Sequence, residues 1–209
     1  MDPGIPSPYG PPQSPYGQPP TPGKKKTPDW LIILAVLGVG GIVLVGTLAA
    51  LAIYGVRRFL VASKTAEAKN TIGAIARGAR ASYERESLAE GSEAAPHALC
   101  KSAIAVPSFV PAGVKYQPAA GSDFDTGDRD TGWKCLRFSM TQPFYYQYHY
   151  QQGAGYLAAA ASPGPDGYEA AARGDLDGDG DTSLFSVTGR VTSGTVVQST
   201  SVHVENEFE

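Results

Sequence analysis

Residues 31–53 read LIILAVLGVGGIVLVGTLAALAI, 23 residues without a charge, and their reading decides how the rest of the chain is taken. As a helix this run rises about 35 Å, at about 1.5 Å per residue. The hydrocarbon core of a bilayer is about 30 Å thick, so the run is long enough to span it with some tilt. A core helix of a water-soluble protein seldom stays apolar on every face for that length. A single transmembrane helix over 30–54 is therefore expected. The rival is a cleaved secretory signal. Its apolar region is shorter, about 7–15 residues, although Ala50-Leu51-Ala52 fits a small-residue cleavage site. Gly38, Gly40, Gly41, Gly46 and Ala50 offer small surfaces for the approach of another helix, but glycine is also common in membrane helices.

On the N-terminal side, residues 1–29 are dense in Pro, Gly and Tyr and contain SPYG twice. Proline removes amide donors and fixes φ, so a disordered, polyproline-like tail is expected, either a spacer or a docking tail for a proline-recognising partner. Lys24, Lys25 and Lys26 flank the apolar run on one side, with Trp30 where an interfacial aromatic would sit. Arg57, Arg58 and Lys64 flank it on the other, so the count of positives does not orient the span. The two cysteines, Cys100 and Cys135, do. They lie outside metal-type spacing, and as a disulfide they place the C-terminal part in an oxidising, extracytoplasmic compartment. Two free thiols are the alternative.

The helix is expected to continue past the membrane as an amphipathic extension over 55–90. No proline occurs from Tyr54 to Glu86, and Ala68, Ile72, Ile75, Ala79 and Tyr83 fall on one helical face. Gly73 and Gly78 weaken it by about 1 kcal/mol each relative to Ala, and Gly91 is a stop signal. Pro96, Pro107, Pro111 and Pro118 then mark a loop-rich connection. Period-two alternation predicts strands at Trp133–Met140 and at Phe144–Gln151, where Phe144, Tyr146, Tyr148 and Tyr150 share a face. Further strands are expected at Tyr156–Ala161, Tyr168–Arg173, Leu184–Thr188 and Thr195–Val204, separated by turn signals. Closely spaced strands without intervening helices argue an antiparallel sheet over 91–209. The fold class is thus α+β, a long N-terminal helix packed on an antiparallel β-sheet.

With the span Leu31–Ile53, the extension SKTAEAKNTIGAIARGARASYERE (Ser63–Glu86) and the segment YEAAARGDLDGDGDTSLFSVTG (Tyr168–Gly189), this architecture resembles the type IV pilins and pseudopilins. The resemblance implies a structural subunit of a bacterial envelope filament or secretion machine. Its apolar half-helix would be held in the inner membrane before assembly and would pack with copies of itself, or with other pilin-like subunits, afterwards. It also implies a prepilin peptidase junction, a Gly followed by Phe and a Glu five residues into the helix. No such junction is present, and Asp29 is the nearest acid to the span. The competing class is a single-pass membrane protein with an extracytoplasmic binding or sensing domain and a cytoplasmic docking tail.

Two constellations carry chemistry. In Asp175-Leu-Asp177-Gly-Asp179-Gly-Asp181, carboxylates at alternate positions with glycines between them can gather oxygens around a hard cation such as Ca2+. The start matches an EF-hand loop, but its twelfth position is Ser186 rather than a bidentate Glu, so a β-hairpin calcium loop competes with a solvated acidic turn. Asp123, Asp125, Asp128 and Asp130 are taken as solvated surface. The second is the Cys100–Cys135 bridge, which would staple the loop-rich segment to the sheet. The tyrosines at 145, 146, 148 and 150 invite a stacking surface for sugars, but aromatics fit a half-buried strand in any case. His97, His149 and His203 are scattered singly. No nucleophile elbow, phosphate loop or His-Glu zinc spacing occurs, so no enzyme activity is expected. With a net charge of −3 and no basic block beyond Lys24–Lys26, nothing points to nucleic acid.

Overall fold

A single helix, α1 (Asp29–Tyr83), accounts for 55 residues of the chain in its computed structural model. The structure describes residues 23, 28–85, 97–157 and 162–209. The expected tail, the Gly91 stop and part of the expected strand Tyr156–Ala161 lie outside them. The chain divides into two compact units, 1–51 and 52–209. In the first, every helical residue from Asp29 to Leu51 is exposed, and α1 is long and apolar enough to cross a membrane. Asp29 sits in the first turn, where a carboxylate complements the helix dipole.

In the second unit the same helix carries a buried stripe: Thr65, Ala68, Thr71, Ile72, Ile75, Ala76, Ala79, Ser82 and Tyr83. Returns of three and four residues place these side chains on one face. The helix stops at Tyr83, three residues short of Glu86. Ser82 Oγ donates to the Ala79 carbonyl at 2.7 Å, and His97 Nδ1 donates to the Tyr83 carbonyl at 2.8 Å. These bonds satisfy carbonyls that the end of a helix leaves open.

That stripe packs on the inner face of a six-stranded antiparallel sheet. Its strands are β1 (Ala103–Val106), β2 (Gln147–Gln152), β3 (Gly167–Gly174), β4 (Ser183–Thr192), β5 (Thr195–Gln198) and β6 (His203–Glu205). Their order is β1-β2-β3-β4-β5, with β6 also paired to β4. The sheet confirms the expected α+β class. Its inner face is aromatic: Phe144, Tyr146, Tyr148, Tyr150, Tyr168 and Phe185 are fully buried, and the Tyr168 hydroxyl donates to the Ala76 carbonyl of α1 at 3.4 Å. The strand expected over Phe144–Gln151 begins only at Gln147, as β2, with Phe144 in an isolated bridge to Tyr116. Its alternation still selects the core face correctly, and these rings fill the core instead of forming a stacking surface. Rings of this size bury about 150–250 Å² each, so they dominate the core. Two glycines make room for them. A Cβ at Gly174 would come within 2.5 Å of the Tyr146 ring, and one at Gly189 within 2.5 Å of the Tyr168 ring.

Four expected elements change. Trp133–Met140 is not a strand: Gly132–Leu136 forms a short helix, α2, closed by Arg137 at φ 51°. Trp133, Cys135 and Leu136 are all buried, which one helical turn permits and alternation does not. Tyr156 and Leu157 belong to no strand; instead the Tyr156 hydroxyl donates to the Gly164 carbonyl at 2.6 Å, closing the segment between β2 and β3. The strand at Leu184–Thr188 extends over the whole of β4. The single strand expected over Thr195–Val204 is split into β5 and β6. Gly189 pairs with Gln198 and Ser186 with His203, so three steps along β4 face five on the other side. Two residues are therefore in excess and bulge out of the ladder. β1, inside the proline-rich connection, had no period-two signal.

The outer face of β2 and β3 is also closed. His149 and Glu169 are buried there, His149 Nε2 lies 3.2 Å from Glu169 Oε1, and the Leu157 amide donates to the same oxygen at 2.7 Å. A buried carboxylate is tolerated when such bonds replace its water.

Candidate functional site

The β3–β4 connection, residues 175–182, is built by its own side chains. Asp175, one residue past β3, is buried, and its carboxylate accepts the Gly178 amide at 2.6 Å on Oδ1 and the Gly180 amide at 3.1 Å on Oδ2. Asp177 accepts the Asp179 amide at 3.3 Å, and Asp179 accepts the Asp181 amide at 2.8 Å. Short acidic side chains thus close successive turns on the backbone ahead of them. Gly178 at φ 84° and Gly180 at φ 99° occupy the left-handed region that this path requires. Outside the loop, the Gly113 amide donates to the Asp175 carbonyl at 2.8 Å.

The result brings one oxygen each of Asp175, Asp177 and Asp179 within 4.8 Å of one another, a group that could hold a metal ion. Asp181, the fourth ligand read from the sequence, is not in that group. Its amide serves Asp179 instead. An all-carboxylate donor set suits a hard, oxygen-seeking cation and not a thiophilic one. Glu209 is not in that group but feels its charge. Partial desolvation and the charges of Asp179, Asp177, Asp181 and Asp175 push the Glu209 carboxyl above its ordinary value, which places it in the field of the loop. Sequence spacing gave no hint of this, because Glu209 lies 28 positions after Asp181.

The aspartates at 123, 125 and 128 serve local structure, and Asp125 lies 3.5 Å from the Lys134 ammonium. Asp123 accepts the Tyr116 hydroxyl and the Ala119 amide, each at 2.8 Å. Asp128 accepts the amides of Asp130 at 2.8 Å and Thr131 at 2.9 Å, and these bonds hold its carboxyl below the usual range. The histidines do not converge: His97 serves the end of α1, His149 meets Glu169, and His203 lies 3.0 Å from Glu205.

Cys100 and Cys135 form a disulfide with their Cα atoms 5.8 Å apart. It joins the entry to β1 to α2, beside amide bonds from Lys101 to Asp130 and from Gly132 to Lys101. The bridge expected from the sequence is therefore present.

A third feature lies along α1. The apolar run is bare to its end and is followed at once by the exposed residues Val56, Arg57, Arg58, Phe59 and Leu60. Neither protein-family models, nor curated proteins, nor solved structures give a match to this chain.

Proposed function

We propose that this protein is a membrane-anchored, pilin-like structural subunit, of the minor pseudopilin kind, in a bacterial envelope filament or secretion machine. Its apolar half-helix is held in the inner membrane, the tail is cytoplasmic and the sheet domain is extracytoplasmic. The observation that carries this reading is that α1 supplies both the apolar run and the floor of the sheet's core. An anchor appended to a sensing domain has no need to be a core element of that domain. A subunit that assembles by helix packing does, because its sheet is then built on the helix that packs. The disulfide supports the extracytoplasmic placement. On this reading the Asp175, Asp177 and Asp179 group holds Ca2+, with water and loop carbonyls completing the six to eight oxygens that ion takes.

Photo-crosslinkers placed singly at Leu37, Gly41 and Val45 in native membranes test the assembly. Products at two, three and more times the subunit mass, confined to one helical face, are expected. Exclusively monomeric product, with an intact mass that retains the N-terminal tail, would transfer the protein to the class of single-pass binding or sensing proteins.

A further inference from the structure

The C-terminal tail returns to α1 just beyond the apolar run. Glu207 pairs with Lys69, and the Arg58 guanidinium stands 5.8 Å from the centroid of the Phe208 ring. Phe208 is nevertheless 55% exposed, and Phe59 at 73% and Leu60 at 55% are equally bare. Isolated exposed apolar side chains are ordinary, but here three of them are interleaved with cations. Arg57, Arg58, Lys64 and Lys115 form no ion pair with a carboxylate among the described residues. Lys64 and Lys115 also share one ring, their ammonium groups 4.3 Å and 5.0 Å from the centroid of Tyr145. Two like charges thus stand at one aromatic ring without a direct ion pair among the described residues.

Position along the helix supplies the partner. Arg57 and Lys64 follow Ile53, the end of the apolar run, by four and eleven residues. That is about 6 Å and about 16 Å of helix rise. Helical side chains lean toward the N-terminus, so the lysine at 64 reaches back toward that end. The polar headgroup zone and one Debye length, about 10 Å at 0.1 M salt, cover the remaining distance. Basic side chains beside aromatic and aliphatic ones match the composition of a surface that meets the membrane interface.

We propose that Arg57, Arg58, Lys64 and Lys115 dock the sheet unit onto anionic phospholipid headgroups, with Phe208 inserted at the interface. This rests on the membrane-anchored reading above. The groups that oppose the attraction are Glu209 and the aspartates at 175, 177, 179 and 181, whose field Glu209 feels. Glu67 stands close as well, but its Oε1 accepts the Tyr145 amide at 3.0 Å and so helps to fix the ring between the two lysines.

The test uses the full chain carrying Phe208→Trp, reconstituted into vesicles of brominated phosphatidylcholine alone or with about one third phosphatidylglycerol. Quenching is read as the excess over the unsubstituted protein, which accounts for Trp30 and Trp133. Excess quenching in the anionic vesicles is expected. It should fall severalfold in about 1 M salt, where the Debye length is about 3 Å. It should fall again, by about fivefold in partitioning per residue, in Lys64→Gln and Lys115→Gln. Equal quenching with and without phosphatidylglycerol, or none in either, would overturn the proposal. Flotation of the same samples keeps the two readings apart: a chain that fails to float with either vesicle defeats the anchorage itself, whereas one that floats without excess quenching defeats only the docking. The salt series needs no further variant, so a lysine variant that fails to fold leaves the outcome decided.

Discussion

Gly78 of α1 lies directly against the carbonyl of Leu136 in α2: a Cβ built at residue 78 would stand 2.6 Å from that oxygen. Gly73, five residues earlier, has nothing nearer to its own would-be Cβ than the end of Arg77, at 3.5 Å. The two glycines cost the helix the same intrinsic propensity for different reasons. Gly73→Ala is expected to stabilise the protein by about 1 kcal/mol, the helix propensity difference. Gly78→Ala is expected to destabilise it by about 1–3 kcal/mol, because the obstacle is backbone and α2 must move. Urea unfolding of the two variants separates them, and shifts of the same sign would contradict the close approach.

The buried tyrosines give the fold an alkaline limit. Burial pushes the Tyr168 hydroxyl up to about 12 even though the nearby Arg80 charge favours ionisation, and burial raises Tyr146, Tyr148 and Tyr150 further. A pKa raised in the folded state means that folded protein holds the proton while unfolded chain releases it near pH 10. The stabilisation is thus complete below about pH 10 and is lost as pH rises through the folded-state values. In that window stability should fall by up to about 1.4 kcal/mol per pH unit for each such tyrosine. Unfolding midpoints followed with tyrosinate absorbance across that range check it; a flat profile would mean that these rings titrate as exposed ones.

Tyr150 adds a sharper test. Its hydroxyl is buried with no hydrogen-bond partner among the described residues. Removing an unsatisfied polar group recovers its desolvation penalty, so Tyr150→Phe is expected to stabilise by about 1–3 kcal/mol. Tyr168→Phe, which loses the bond to Ala76, should not gain stability. Thermal unfolding of the pair gives the comparison.

Reduction of the Cys100–Cys135 bridge, which spans 35 residues, should destabilise the sheet unit by about 4 kcal/mol in the chain-entropy model. Denaturant midpoints with and without reductant measure this. A change below about 1 kcal/mol would show that the hydrogen bonds between Lys101 and residues 130–132 already hold that corner.

Calcium at millimolar concentration should raise the thermal midpoint, since a ligand that binds only the folded state stabilises it by RT ln(1 + [L]/Kd). Asp177→Asn and Asp179→Asn should lose the increment while folding normally without the ion. Asp175→Asn is expected to lower the midpoint even without calcium, because Asp175 organises the turn through Gly178 and Gly180. An unchanged midpoint of the natural chain would remove the ion from the account.

What could be read from sequence was periodic. The stripe from Ala68 to Tyr83 and the row Phe144, Tyr146, Tyr148 and Tyr150 repeat with the geometry of their elements, and both occupy the core as their spacing implies. What could not be read was set by single residues or by distant chain. Gly132 and Arg137, both at positive φ, fold Trp133–Leu136 into a turn of helix although Leu136, Phe138 and Met140 alternate. The burial of His149 and Glu169 depends on the segment that carries Leu157, which no local pattern announces. Of the acidic group, the alternation of Asp175, Asp177 and Asp179 was visible, while the influence of their charge on Glu209 depends on the path of the chain after β6.

The two-residue excess between β5 and β6 bears on how copies of this chain can meet. An open sheet edge is a template on which another molecule can add a strand, and long, regular edges are the dangerous ones. Here one edge is cut into pieces of four and three residues, and the other is β1, four residues with a shifted register and Pro107 directly after it. Among the described residues neither edge presents a long run of consecutive amides for lateral strand exchange. Short, irregular edges of this kind disfavour sideways addition of the sheet into cross-β material, a route that tyrosine-rich strands would otherwise favour.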